Sequence, residues 1–337
     1  MLDLLKNLCT YPGVSGDEGA IADFICKEAR PHADAHIDAL GNVIVEKKGR
    51  RNIGKKILLA AHMDEIGFII TNITDEGYLK FACVGGIDRR VILGQRVLIG
   101  KHALPGLIGR RPAHLAKYDK TKSIPPIDAL YIDIGATDRE SAEKMVALGD
   151  TACFDAPPFE MGDLLAARAL DDRVGCAVML ELIKENLPCD VCFVFTVQEE
   201  IGCRGAVPAA FSTKPDMAFI LECTVATNLP GVPEHKRACA MGGGVVIPFM
   251  DRATVYDRTL WAEVTQLASR LDIPWQTKRA IAGGTDASSI QRSRHGVPVL
   301  ALAVAAQNIH SAYCISSMRD IAHLLQLTRA VLEDSVG

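Results

Sequence analysis

The sequence has no excess of positive charge. Its 37 Lys and Arg face 41 Asp and Glu, leaving a net charge of -4. Without a basic stripe to neutralise phosphates, nucleic acid is not an expected partner. Apolar runs of the roughly 20 residues needed to span a bilayer are also missing, so no membrane association is expected. The N-terminal Met1-Leu-Asp-Leu-Leu-Lys6 carries an early acid and no long apolar stretch, which excludes a signal-peptide reading and points to a cytoplasmic protein. Cys189 and Cys192 have C-x-x-C spacing, but there is no matching second pair, and Cys192 falls inside the strand-like Val191–Val197. The 11 cysteines are odd in number and lie mostly in apolar runs, so they read as reduced, small hydrophobes instead of a disulfide framework. Internal repeats and low-complexity segments are absent as well.

What is present is ordinary globular material, 49% hydrophobic and 23% charged. A chain of 337 residues exceeds the roughly 250–300 at which a single core stops growing, so two domains are expected. A helix is predicted from about Gly16 to His32, with Ser15 as N-cap and Glu18 completing a capping box. Gly41-Asn42 should turn the chain into a strand at Val43. The apolar run Lys56–Ala61 then reads as a strand buried on both faces, with His62 at its end.

Between about Thr71 and Glu160 the texture changes. Short runs such as Tyr78-Leu-Lys-Phe81 and Gln95–Ile99 are broken repeatedly by Gly and Pro, as in a small β-barrel or sandwich. After Gly162 the α/β rhythm returns. A helix is predicted at 171–186 and strands at 191–197, 217–222 and 244–249. A helix at 259–271, a short helix after Gly283-Gly-Thr-Asp286, a strand at 298–305 and a final helix at 317–334 complete it. Strands alternating with helices imply a mainly parallel sheet flanked by helices. The expected organisation is therefore a discontinuous α/β domain, residues 1–70 and 161–337, interrupted by a small all-β domain at 71–160.

Ligands of open α/β sheets bind beyond the carboxyl ends of the strands. His62 and Asp64 follow one predicted strand, Glu199 and Glu200 a second, Glu222 a third, and His310 lies a few residues past a fourth. Two imidazoles and several carboxylates on one rim suit zinc, cobalt or manganese. Each residue also has a plainer reading. A lone His after a strand is commonly a hydrogen-bonded structural residue. A Glu-Glu pair is commonly a solvated helix start, and Asp171-Asp172 a helix N-cap with its neighbour. Their coincidence at one end of one sheet favours chemistry. A two-metal hydrolase needs a bridging carboxylate, terminal ligands and a base for a shared water. His-x-Asp can supply a ligand with a carboxylate beside it, and adjacent glutamates can divide ligand and base work.

These segments resemble the tetrahedral aminopeptidases, also labelled glutamyl aminopeptidases or cellulase M-like proteins. The matching stretches are Ala61–Phe68, Ala169-Leu-Asp-Asp-Arg173, Val197–Gly205, Gly283–Ala287 and Ile309-His-Ser311, in family order across nearly the whole chain. The resemblance implies a zinc-peptidase-like α/β fold and a dinuclear centre holding two divalent ions per subunit. His62 and Glu222 would be terminal ligands of one ion, Glu200 and His310 of the other, with Asp171 bridging. Glu199 would be the general base, and Asp64 would orient His62. It further implies a peptide substrate cut at its N-terminus, and homo-oligomers in which the β domain makes dimer contacts and dimers build dodecamers. Three positions depart from the family pattern: Glu222 where Asp is common, Asn228-Leu-Pro-Gly231 for Asp-Thr-Pro-Gly, and Gln307–Cys314 around the last histidine. Preference for the N-terminal residue is therefore left open. So are an amidase acting on a non-peptide substrate, a glycosidase using paired carboxylates, and an inactive assembly scaffold.

Overall fold

The computed structural model describes residues 1–112 and 124–335. Residues 113–123, within the segment expected to be an insertion, lie outside the described residues. Two helices, α1 (Leu2–Leu8) and α2 (Gly19–Ala29), precede β1 (Asp34–Ile37), β2 (Val43–Lys47) and β3 (Ile57–His62). Next come β4 (Gly67–Ile73), β5 (Leu79–Val84), β6 (Arg96–Ile99), β7 (Leu104–Arg110), β8 (Leu130–Asp133), α3 (Arg139–Glu143) and β9 (Thr151–Phe154). They are followed by β10 (Phe159–Met161), β11 (Leu164–Ala167), α4 (Leu170–Ile183), β12 (Val191–Thr196), α5 (Ala206–Thr213) and β13 (Met217–Val225). The chain ends with β14 (Val245–Val246), α6 (Arg258–Arg270), β15 (Trp275–Gln276), α7 (Ala287–Gln291), β16 (Val299–Gln307), β17 (Cys314–Ser317) and α8 (Met318–Asp334).

The fold is α/β. One large sheet runs β1-β2-β12-β3-β13-β16-β17-β11-β10, with β14 and β15 attached beside β16. Its centre, β12-β3-β13-β16, is parallel, and its edges are antiparallel. Every residue of β3 and β12 is buried, as their unbroken apolar runs require between helical layers. Burying a side chain such as Phe193 or Leu59 contributes about 1.5–3 kcal/mol each. Helix α4 lies on β3 and β13 and touches α8, while α5 and α7 form a contacting pair against β12, β13 and β16. The α4 contact is close because Gly175 has no side chain. A Cβ there would stand 2.8 Å from the Cβ of Ala61 and 2.9 Å from that of Leu221.

Strands β4 to β9 close a separate barrel in the order β4-β5-β8-β7-β6-β9. It has its own apolar centre, in which Phe68 meets Phe81 and Phe154 edge to face at 5.1 and 5.3 Å. Barrel pairing starts at Gly67 and ends at Phe154. Residues 159–161 pair instead with β11 in the large sheet.

Three local expectations are corrected. The helix expected from Gly16 to His32 is α2, Gly19–Ala29, and Ser15 and Glu18 do not cap it through a box: the Ser15 hydroxyl donates to Asp64 Oδ2 at 2.6 Å, and Glu18 accepts from the amides of Gly16 and Gln198. Tertiary partners outcompete the local cap. The strand expected at 244–249 is only the two-residue β14, because Gly242 and Gly244 both take positive φ just before it. Glu222 does not end its strand. β13 continues to Val225 because β16 runs alongside it to the pair Val225–Ala306.

Candidate metal centre

The parallel centre of the sheet delivers its polar residues to one cavity of about 570 Å³, lined by His62, Asp171, Glu199, Glu200, Glu222 and His310 among others. His62 is the last residue of β3. Asp171 lies at the start of α4, where it and Asp172 take non-helical dihedrals across a cis peptide. The chain bends at the end of β12 through Gln198, at φ +57°. A turn closed by the Gly202 amide on the Glu199 carbonyl, with Gly202 at φ +116°, completes the bend. Asn42 holds this bend in place: its Oδ1 accepts from the Val197 amide at 3.0 Å and its Nδ2 donates to the Gly205 carbonyl at 3.0 Å. His310 stands on a loop beyond β16 at φ +62°. Ile309 packs on the main core and Ala312 joins the barrel core, which clamps that loop between the two.

Asp171 lies between the two imidazoles. Its Oδ1 is 3.3 Å from His62 Nε2 and its Oδ2 is 3.9 Å from His310 Nε2. Beside His62 Nε2, Glu222 Oε2 stands at 3.9 Å; beside His310 Nε2, Glu200 Oε2 stands at 3.1 Å. Ligand atoms of His62, Asp171 and Glu200 all fall within 4.8 Å of one another.

The two histidines share one device. His62 Nδ1 donates to the backbone carbonyl of Asp64 at 3.1 Å, and His310 Nδ1 donates to that of Gly86 at 2.9 Å. A carbonyl oxygen can only accept, so each ring carries a proton on Nδ1 and turns Nε2 toward the carboxylates, the orientation of metal-binding histidines. The Asp64 side chain is farther from the ring, with Oδ1 at 3.5 Å. Its carboxylate instead accepts the Glu199 amide at 3.0 Å and the Glu200 amide at 3.2 Å, fixing the turn that presents both glutamates.

The electrostatics demand cations. Burial pushes the Glu199 carboxyl up to about 8 and raises Glu200 and, more strongly, Glu222. Burial would lower both histidines, but it is outweighed by Asp171 and Asp64 at His62 and by Glu200 and Asp171 at His310, which is lifted to about 9. Among the described residues, Asp171, Glu200 and Glu222 pair only with these histidines, and no Lys or Arg bridges to them. A buried carboxylate cluster without Lys or Arg, faced by two imidazole Nε2 atoms whose protons a metal would displace, fits hard or borderline divalent ions.

All seven residues singled out in the sequence therefore meet at one rim. Sequence reasoning missed Ser15, Glu18, Asn42 and the Gly86 carbonyl. Gly86 leaves no sequence signal because the backbone makes the contact, and Ser15 was absorbed into a cap motif. Asp286 and Cys203 stood inside matched stretches without any assigned role.

Fold and site together define a hydrolase of the α/β peptidase class. The profile described as M42 glutamyl aminopeptidase matches residues 41–327. A putative aminopeptidase of Acetivibrio thermocellus is 40% identical over 97% of each chain. An aminopeptidase from the archaeon Desulfurococcus kamchatkensis superposes with a TM-score of 0.94 at 33% identity, covering 98% of this chain and 94% of that one. The TET1 peptidase of Pyrococcus horikoshii, described as assembling into a tetrahedron or a large octahedral shell, gives 0.87 at 37% identity over 98% of both chains. The chain belongs to the M42 glutamyl aminopeptidase family and is an aminopeptidase, a hydrolase of peptide bonds. Among the activities left open by the sequence, family membership selects peptide hydrolysis. No helix among the described residues is long and apolar enough to cross a membrane.

Proposed function

We propose that the protein is a dinuclear metal-dependent aminopeptidase that removes N-terminal residues from short peptides. The observation that carries this reading is the Asp171 carboxylate lying between two imidazoles, each accompanied by its own glutamate. His62 and Glu222 would hold one divalent ion and Glu200 and His310 the other, with Asp171 shared. Zinc or cobalt suits this set of nitrogen and oxygen donors, and manganese is compatible. When bound, the ions supply Lewis acidity toward the scissile carbonyl and the attacking water.

The chain's own residues do the rest. Glu199 is the general base: its carboxylate takes the proton of the water and returns it to the departing amine. Burial suits it to this task, since desolvation raises the proton affinity of its carboxylate above that of an exposed one. Asp64 positions Glu199 and Glu200 through their amides, and its backbone carbonyl fixes the His62 tautomer. Val225, Val246, Pro248 and Ile309 give the cavity an apolar wall that excludes water from the substrate side chain.

The reading includes a cytoplasmic homo-oligomer with the barrel at subunit contacts, supported by the shells described for the P. horikoshii relative and by exposed Leu107 on β7. The deciding experiment assays metal-stripped protein on aminoacyl chromogenic substrates and N-blocked peptides, with zinc, cobalt or manganese added back. We expect activity on free N-termini alone, restored by metal. Equal turnover of blocked amides, or activity indifferent to metal, would contradict it.

A further inference from the structure

A second cluster lies against the catalytic one. Cys203 is half-buried, takes φ +53° in the turn after Glu200, and directs its Sγ to Glu199 Oε1 at 3.4 Å. Asp286 is 1% exposed and sits behind them at the start of α7. Its Oδ2 accepts from the Thr196 hydroxyl, it makes no capping bond to α7, and among the described residues its Oδ1 has no hydrogen-bond partner. Leaving a buried carboxylate oxygen unpaired is costly, and such a group calls for an unseen partner. Ligand atoms of Glu199, Cys203 and Asp286 lie within 4.8 Å of one another, and Cys203 and Glu199 both face the cavity. The place is therefore reachable by a small ion.

We infer that Glu199, Cys203 and Asp286 form a third, regulatory metal site that takes a zinc-like divalent ion and silences the enzyme by occupying its base. One thiolate with two carboxylates selects a borderline or soft ion over magnesium or calcium. On binding, the Cys203 thiol loses its proton to solvent, and the metal–sulfur bond replaces the S–H contact to Glu199. A Glu199 oxygen committed to this ion cannot accept the proton of the attacking water. The binding event stands on the three residues alone; only its inhibitory effect rests on Glu199 being the base. No ligand assigned to the dinuclear centre belongs to this trio.

The test titrates enzyme already loaded with two ions per chain with cobalt(II), and in parallel with cadmium(II). We expect a further binding event accompanied by a near-ultraviolet sulfur-to-metal charge-transfer band, and loss of both in Cys203→Ala and in the similarly sized Cys203→Ser. Excess zinc should inhibit the parent enzyme at least about tenfold, within the share of rate a general base supplies, and should fail to inhibit Cys203→Ala to that extent. No thiolate band at excess metal, or a further event undiminished in both cysteine variants, would overturn the site. Failure of the first two ions to load would count against the dinuclear reading instead, while the dependence of the band on Cys203 would still judge the third site.

Discussion

His62 ends a fully buried strand with 2% of its side chain exposed, whereas His310 stands on a loop with 37% exposed. Both rings are set by a backbone carbonyl, yet the carbonyls come from very different places. That for His62 is two residues away, at Asp64; that for His310 is 224 residues away, at Gly86, beyond the last residue of β5 in the barrel. The first half of the site is thus a local property of the sheet. The second depends on the barrel and the sheet keeping their relative placement. Exposed loop segments open locally more readily than buried strands. The half-site at His310 should exchange its ion first, and disturbance of the barrel should reach catalysis through it.

The largest effect should come from the residue that belongs to neither half. Glu199→Gln removes the proton acceptor and keeps the shape. Turnover should fall roughly 10²–10⁴-fold while both ions stay bound, as read by steady-state kinetics beside elemental analysis. Loss of an ion in this variant would move Glu199 into a half-site. Next, Asp64→Asn removes the charge and replaces one of the two oxygens that accept the amides of Glu199 and Glu200 by a donor, so only one of those amides keeps its partner. A loss of about 10–100-fold in metal affinity or activity is expected, the usual cost of disturbing an outer partner. A variant that binds metal normally at both halves would show that the backbone carbonyl of Asp64 suffices.

The comparison is sharpened by Glu200→Gln set against Glu222→Gln. The first variant should regain activity as metal is added, because its half-site is open. The second should resist rescue, because a neutral amide in a buried half-site removes one of the charges that offset the desolvation of the ion. Equal rescue of both would erase the asymmetry. The smallest effect should follow Gly86→Ala. Its Cβ would stand 3.3 Å from His310 Nδ1, so the ring must give by a few tenths of an ångström. Affinity for one ion should weaken by about tenfold or less, with the other ion unaffected in a competition assay against a chelator.

The same asymmetry governs what could be read from the sequence. The His62 half was legible because Ile57–Ala61 is an unbroken apolar run, and a polar residue right after such a run has the pattern of a strand end. Glu199 and Glu200 followed from the same logic at Val191–Val197. Glu222 was found for a wrong reason: a buried carboxylate interrupts an apolar run like a strand end, yet β13 passes through it because its neighbour β16 is long. His310 was noticed as lying a few residues past the strand at 298–305, but its pairing with Glu200 came from the family resemblance, since Asn308 and His310 both take positive φ that no residue pattern announces. Ser15 and Glu18 matched a capping box so well that their tertiary partners, Asp64 and the Gln198 amide, could not be anticipated. Contacts made by backbone groups, such as the Gly86 carbonyl, leave no side chain to notice.

The most direct measurement is metal stoichiometry on Asp171→Asn, taken by calorimetric titration of the metal-stripped protein together with the single variants Glu200→Gln and Glu222→Gln. If Asp171 is shared between the two half-sites, Asp171→Asn should weaken both binding events together, whereas each glutamate variant weakens one and leaves the other near its parent value. An Asp171→Asn protein that binds one ion with undiminished affinity would contradict the shared carboxylate on which the dinuclear centre rests.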